Sequence, residues 1–178
     1  MCQLCDQAEA LLGYRDICPT SGKLEFSHKM LVDIGAKFLK GFGCGIVLKE
    51  LVCLNETGEI PDIYGIKFGY SILIECKTSR ADFLADKRKT FRAYPEQGMG
   101  QYRAFLCPED IIKQEDLTDI LDGWGLLYVN QKRKIERVIF PKQNYLDGVD
   151  SPMNRFKANL RAERSLLFSA LRRKQGGE

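Results

Sequence analysis

The sequence predicts an α/β fold: a mixed β-sheet flanked by helices in the order αβββαβ, with a C-terminal β-hairpin and helix extension. Three observations carry this reading. An apolar series at helical spacing follows Ser27, short β-rich runs separated by turn residues fill Ile46–Lys77, and a charged helical stretch then feeds a further apolar run at Tyr102–Cys107. An antiparallel meander joined by a crossover helix to another strand gives a mixed sheet between helices.

Residues 1–26 read as irregular, with a short apolar helix over Gln7–Leu12 and a turn at Cys18–Gly22. Ser27 is the expected N-cap of the first helix, whose apolar positions are Met30, Leu31, Ile34, Phe38 and Leu39 and which Gly41 and Gly43 end. Ile46–Leu54 is the first strand, closed by the turn cluster Asn55–Gly58. Pro61 opens the next, a tolerated place for proline because no ladder N–H is needed there. Lys67-Phe68-Gly69 turns the chain into Ser71–Lys77, on which Glu75 and Lys77 share one face.

Arg80–Tyr94 is expected as one helix, Tyr102–Cys107 as a strand and Pro108–Leu121 as a helix. Gly125–Val129 and Ile135–Phe140 form a hairpin around a charged turn at Asn130–Lys134. Met153, Phe156, Leu160, Leu167 and Leu171 stripe a final helix, which trails into a tail from Gln175 expected to be disordered. The organisation is then an irregular segment 1–26, a domain 27–150, and a basic amphipathic helix and tail 151–178.

The 178 residues suffice to bury roughly two-thirds of the unfolded surface in one domain. With 44% hydrophobic and 29% charged residues, extensive disorder is excluded. No apolar run approaches the ~18 residues of a membrane span, and no signal-peptide pattern opens the chain, so a soluble cytoplasmic protein is expected. Seven cysteines, several within apolar runs, read as reduced core thiols.

The net charge of +3 is modest, but the segment Ser151–Glu178 carries a local balance of +5. A second basic cluster includes Lys77, Arg80, Lys87, Arg88, Lys89, Arg92 and Arg103. Such blocks suit a phosphate backbone and equally suit a solvated helix face.

The chemistry centres on Asp62, Glu75 and Lys77. A hairpin turning near Lys67–Gly69 folds Asp62 back towards Glu75, so the two carboxylates can share one cation with the carbonyl of Cys76. Glu50, the only acid in an apolar run, can complete the site. A carboxylate ending a strand as apolar as Ile72-Leu73-Ile74 is costly without a partner. The bland alternatives are a snorkelling Lys77 and a Glu75 salt bridge to Lys77 or Arg80.

An acid, then Pro61-Asp62, a hairpin and Glu75-Cys76-Lys77 resemble the PD-(D/E)XK nuclease superfamily over about Ser27 to Cys107. Glu50-Leu51-Val52, Glu75–Ser79, Ala81-Asp82-Phe83 with Asp86-Lys87, Cys107-Pro108-Glu109 and Gly123–Tyr128 look like its MmcB-like branch, associated with DNA repair. The resemblance implies a restriction-endonuclease-like core and a Mg²⁺- or Mn²⁺-dependent DNA endonuclease, acting in repair or in processing phage or mobile-element DNA. Asp62 and Glu75 would then be metal ligands, Lys77 would orient or polarise the attacking water, and Glu50 would be the auxiliary acid. The chain departs from the pattern in its first helix, which begins Ser27-His28-Lys29 and offers only Asp33 where many members place a glutamate.

Arg80, Lys87, Arg88 and Arg92 are candidates for DNA contact, as is Gln101 beside the fourth strand. Asp82 and Asp86 read as capping or i,i+4 partners, and Trp124 as core or sheet cover. Cys2 and Cys5, with Cys18 and His28, are ligand types zinc accepts, although a lone CxxC lacks its second pair. Two other functions fit the same residues: a non-catalytic DNA-binding module, and a subunit that dimerises or docks on a protein partner through its C-terminal helix.

Overall fold

The computed structural model describes residues 24–142, 146 and 151–176. In chain order its elements are α1 (His28–Gly41), β1 (Ile46–Lys49), β2 (Ile63–Lys67), β3 (Tyr70–Cys76), α2 (Arg80–Asp86), α3 (Thr90–Ala93), β4 (Tyr102–Pro108), β5 (Gly125–Val129), β6 (Ile135–Ile139) and α4 (Leu160–Gly176). The six strands form one sheet in sequential order. β1, β2 and β3 pair antiparallel, β3, β4 and β5 pair parallel, and β6 returns antiparallel on β5. The α/β class and mixed sheet expected from the sequence are therefore present.

Alternation along the strands divides the core into two layers. Ile63, Ile72, Ile74 and Leu106 face α1, which buries Leu31, Val32, Ala36 and Leu39 against them. Tyr64, Leu73 and Phe105 face the other way, onto Phe83, Trp124, Ala162 and Leu166. Covered on both faces, β3 is buried at all seven positions, which explains its nearly continuous apolar run. Gly35 lets α1 approach this closely: a β-carbon there would collide with Ile63 and Leu106 side chains. Ser27 caps α1 as expected, its Oγ accepting from Met30 N at 3.3 Å.

Four element expectations need correction. β1 stops at Lys49 rather than Leu54, because Glu50 takes a left-handed backbone (φ 45°) and turns the chain out of the ladder. The helix expected over Arg80–Tyr94 breaks into α2 and α3. The break brings Arg92 onto Asp86, whereas on an unbroken helix positions six apart point about 120° from each other. Pro108–Leu121 forms only two 3₁₀ turns, Gln114–Asp116 and Asp119–Leu121, since Asp110 (φ 71°) and Asp119 (φ 55°) are left-handed.

The last helix begins at Leu160, not near Met153, because Asn154 and Phe156 donate their N–H groups to Gly123 and Gln101 carbonyls. Its buried positions are Ala162, Glu163 and Leu166, while Leu160 and Leu171 of the expected stripe lie exposed. It runs on through Gln175 to Gly176, where a tail was expected. The Gln7–Leu12 helix and the Cys18–Gly22 turn lie outside the described residues. Among the described residues, no helix is long and apolar enough to cross a membrane.

Candidate metal and phosphodiester site

The site grows out of the β2–β3 hairpin. Phe68 and Gly69 form its two-residue turn, with Gly69 supplying the positive φ of 86°. The register this sets ends at Ile63↔Ile74. Just before β2, Asp62 sits in a bend that brings its carboxylate to the end of β3, where the Glu75 charge acts on it. Asp62 Oδ2 accepts a hydrogen bond from Cys76 N at 2.7 Å, and Asp62 O accepts one from Glu50 N at 2.9 Å. Left-handed Glu50 is thereby tied to the hairpin, at a strained position of the kind that clusters in functional sites. From the start of α1, His28 Nε2 lies 3.4 Å from both Asp62 Oδ1 and Glu50 Oε1.

Glu75 and Lys77 are each only 3% exposed, so their charges must be compensated inside the protein. Glu75 Oε2 is 3.6 Å from Lys77 Nζ, and Oε1 is 3.2 Å from the Arg92 guanidinium. Lys77 Nζ is also 3.3 Å from Asp86 and 3.9 Å from Asp82. Arg92 in turn donates to Asp86 Oδ2 at 2.7 Å and to Glu59 Oε1 at 2.9 Å, and stacks 4.7 Å above the Trp124 ring. Glu59 Oε2 accepts from Met99 N at 2.5 Å, which closes the network. Lys77 N donates to Leu106 O at 2.9 Å, anchoring the backbone where β3 ends.

Burial and the neighbouring Glu75 carboxylate push the Asp62 carboxyl up to about 6, against the pull of Cys76 N–H, His28 and Lys77. Burial works against the Lys77 ammonium, yet Glu75, Asp86, Asp82 and Asp62 together hold its pKa above the ordinary lysine value. Asp86 is the opposite case: burial is outweighed by Arg92, Lys77 and Lys89, and its carboxyl is held well below the usual range. The fully buried Cys76 thiol is pushed up by burial and by the two site carboxylates.

Asp62, Glu75, Lys77 and Glu50 are thus brought to one end of the sheet. Cys76 joins them through its N–H. Asp33 does not: it pairs with Lys49 at 2.7 Å.

The expected DNA-contacting residues divide. Arg88 is exposed, Lys87 lies against the Phe83 ring, and Arg80 is chelated by Asp116 while also reaching Ile111 O. Arg92 is a correction, because a guanidinium buried among three carboxylates is an internal counter-ion with no face left for phosphate. Gln101 sits beside Ser71, exchanging hydrogen bonds with it at the opposite end of β3 from Glu75. Asp86, expected as a capping or i,i+4 residue, is the buried partner of Lys77 and Arg92.

Glu59 and the reach of His28 to Asp62 carried no sequence signal. Both depend on segments that meet only in three dimensions. Of the residues proposed for zinc, Cys2, Cys5 and Cys18 lie outside the described residues, and His28 faces Asp62 and Glu50. Among the described residues, no three His, Cys, Asp or Glu side chains converge as a metal-holding group. What remains is a pair of carboxylates, which suits a hard cation that keeps most of its waters rather than a closed protein cage. No protein-family model, curated protein or solved structure matches this chain.

Proposed function

We propose that the chain is a metal-dependent DNA endonuclease of the cytoplasm, built on a restriction-endonuclease-like core of the PD-(D/E)XK type and related to its MmcB-like repair branch. The observation that carries this is Asp62, hydrogen-bonded to Cys76 N at the end of β3, within the field of buried Glu75 and beside a buried Lys77. Burial first, and the Glu75 charge second, push the Asp62 carboxyl up to about 6, a cost that a divalent cation would relieve. Asp62 and Glu75 would hold Mg²⁺ or Mn²⁺, with Glu50 as auxiliary acid, and the ion would supply neutralisation of charge on the phosphodiester oxygens.

Lys77 has a defined part. Glu75, Asp86, Asp82 and Asp62 favour its ammonium form against the cost of burial, which suits it to act as a hydrogen-bond donor. It donates a hydrogen bond to the attacking water and offsets negative charge gathering on the phosphorane. Asp86 positions Lys77, and Arg92 positions Glu75. In the reaction, water oxygen bonds to phosphorus and gives up a proton to solvent, the bond to the departing sugar oxygen breaks, and that oxygen takes up a proton from solvent.

Incubation with labelled linear, branched and abasic DNA, in Mg²⁺, Mn²⁺ or EDTA, tests this reading. Cleavage should require the divalent ion and be abolished by Asp62→Ala and by Lys77→Ala in proteins that still melt cooperatively. Undiminished cleavage in EDTA would defeat it. A non-catalytic DNA-binding module is favoured by one observation: both Glu75 oxygens already face cations. Binding that falls steeply with salt, without cleavage under any divalent ion, would select that reading.

A further inference from the structure

The C-terminal helix has a second face that the site does not use. Arg164, Phe168 and Arg172 recur every fourth residue, so they form one stripe along α4. This stripe and Arg173 wall a groove whose other side is Val52, Cys53 and Leu54. Arg173 closes the groove's end by donating to Val52 O at 2.7 Å. Phe168 is 65% exposed and Leu54 98%, so the apolar floor is open to solvent. The charge is one-sided. The groove has no acidic lining residue, and the nearby acids are committed: Glu56 to Arg161, and buried Glu163 to Ser71 Oγ and Gly100 N.

We propose that this groove between Val52–Leu54 and α4 holds a single strand of DNA that leads to the Asp62–Glu75 site, an inference that rests on the endonuclease reading. Three features select that occupant. Arginines beside an exposed aromatic ring match a phosphate backbone with unstacked bases, because a ring can stack on any base. A duplex hides its base faces and would leave Phe168 and Leu54 unused. A second copy docked symmetrically would set Arg164 and Arg172 against the same arginines of its partner, a like-charge contact. Val52 follows Glu50 by two residues, at most about 7 Å of extended chain, so one wall of the groove starts close in sequence to the auxiliary acid.

The test is fluorescence anisotropy of a labelled ~20-nucleotide oligothymidine with the full chain in EDTA, where binding is read without cleavage. The wild type should bind the single strand more tightly than a duplex of equal length. Phe168→Ala should weaken single-strand binding about tenfold with the salt slope unchanged, and Phe168→Tyr should restore it. Replacing Arg164 and Arg172 together by Ala should reduce the slope of log affinity against log salt by about 1.4. Phe168→Ala binding as the wild type does, or losing duplex and single strand equally, would overturn the proposal. So would loss of self-association in Phe168→Ala with oligonucleotide affinity intact, which would assign the face to a second copy. Failure of the endonuclease reading is separable, appearing as wild-type binding in EDTA with no cleavage once Mg²⁺ is added.

Discussion

Glu59 and Asp62 stand three residues apart, both carboxyls are pushed up by burial, and they differ in what surrounds them. Glu59 has each oxygen filled, one by the Arg92 guanidinium at 2.9 Å and one by Met99 N at 2.5 Å. Asp62 has one good donor, Cys76 N, and a long approach from His28, with the Glu75 charge beside it. A saturated carboxylate has nothing left to offer a ligand, and Glu59 serves as a tie between segments. An undersatisfied one can gain by taking a cation or a proton. The difference marks where structure ends and chemistry begins within a single buried charge network.

Removing Arg92 gives the largest effect and breaks the saturated side. Arg92→Leu strands Glu59, Glu75 and Asp86 in a water-poor interior, and loss of one partner from such a set costs about 3–5 kcal/mol. Urea unfolding at pH 7 reads this directly. A loss below about 1 kcal/mol would mean that water reaches the network and that Glu59 is not the closed case described above.

Asp62→Asn works in the opposite direction. The unfolded carboxyl ionises near 3.8 and the folded one near 6, so between those pH values the native state holds a proton that the unfolded state has lost. Stability therefore falls as pH rises through that window and stays reduced above it, by about 3 kcal/mol in order of magnitude. The amide carries no such penalty. Asp62→Asn should be the more stable protein at pH 8, with the gap closing towards pH 4. Mg²⁺ should stabilise the wild type at pH 8 and leave the variant unmoved, and a gap that ignores pH would refute the account.

The reach of sequence reasoning follows the same divide. Asp62 and Glu75 were legible as a pair because turn residues and strand alternation are local, and Phe68-Gly69 sets their register within fourteen positions. The buried role of Arg92 is hidden in the sequence because Arg80–Arg92 has the composition of a solvated cationic helix. Its true partners, Glu59 and Glu75, come from other segments of the chain. Left-handed Asp110 and Asp119 broke an expected helix for a similar reason, since composition does not disclose a positive φ. In α4, Leu160 and Leu171 of the expected stripe lie exposed despite their hydrophobicity, whereas Glu163 is drawn inside by Ser71 and Gly100.

The smallest effect sharpens the comparison from the side of α1. Ser27 Oγ caps the helix through Met30 N, and the first residue after the cap is His28, which faces Asp62 and Glu50. Ser27→Ala should cost about 1 kcal/mol by exposing an unsatisfied helix N–H. It should also loosen the first turn, and with it His28, which bridges Asp62 and Glu50. The Glu59 carboxylate is held by Arg92 and Met99 N, neither of which belongs to α1, so its network should be unaffected. Amide exchange can separate the two: Met30 N should exchange faster in Ser27→Ala, while Met99 N, held by Glu59, keeps its protection. Equal acceleration at both amides would show that α1 and the buried network open together, and that the two carboxylates do not belong to separable regions.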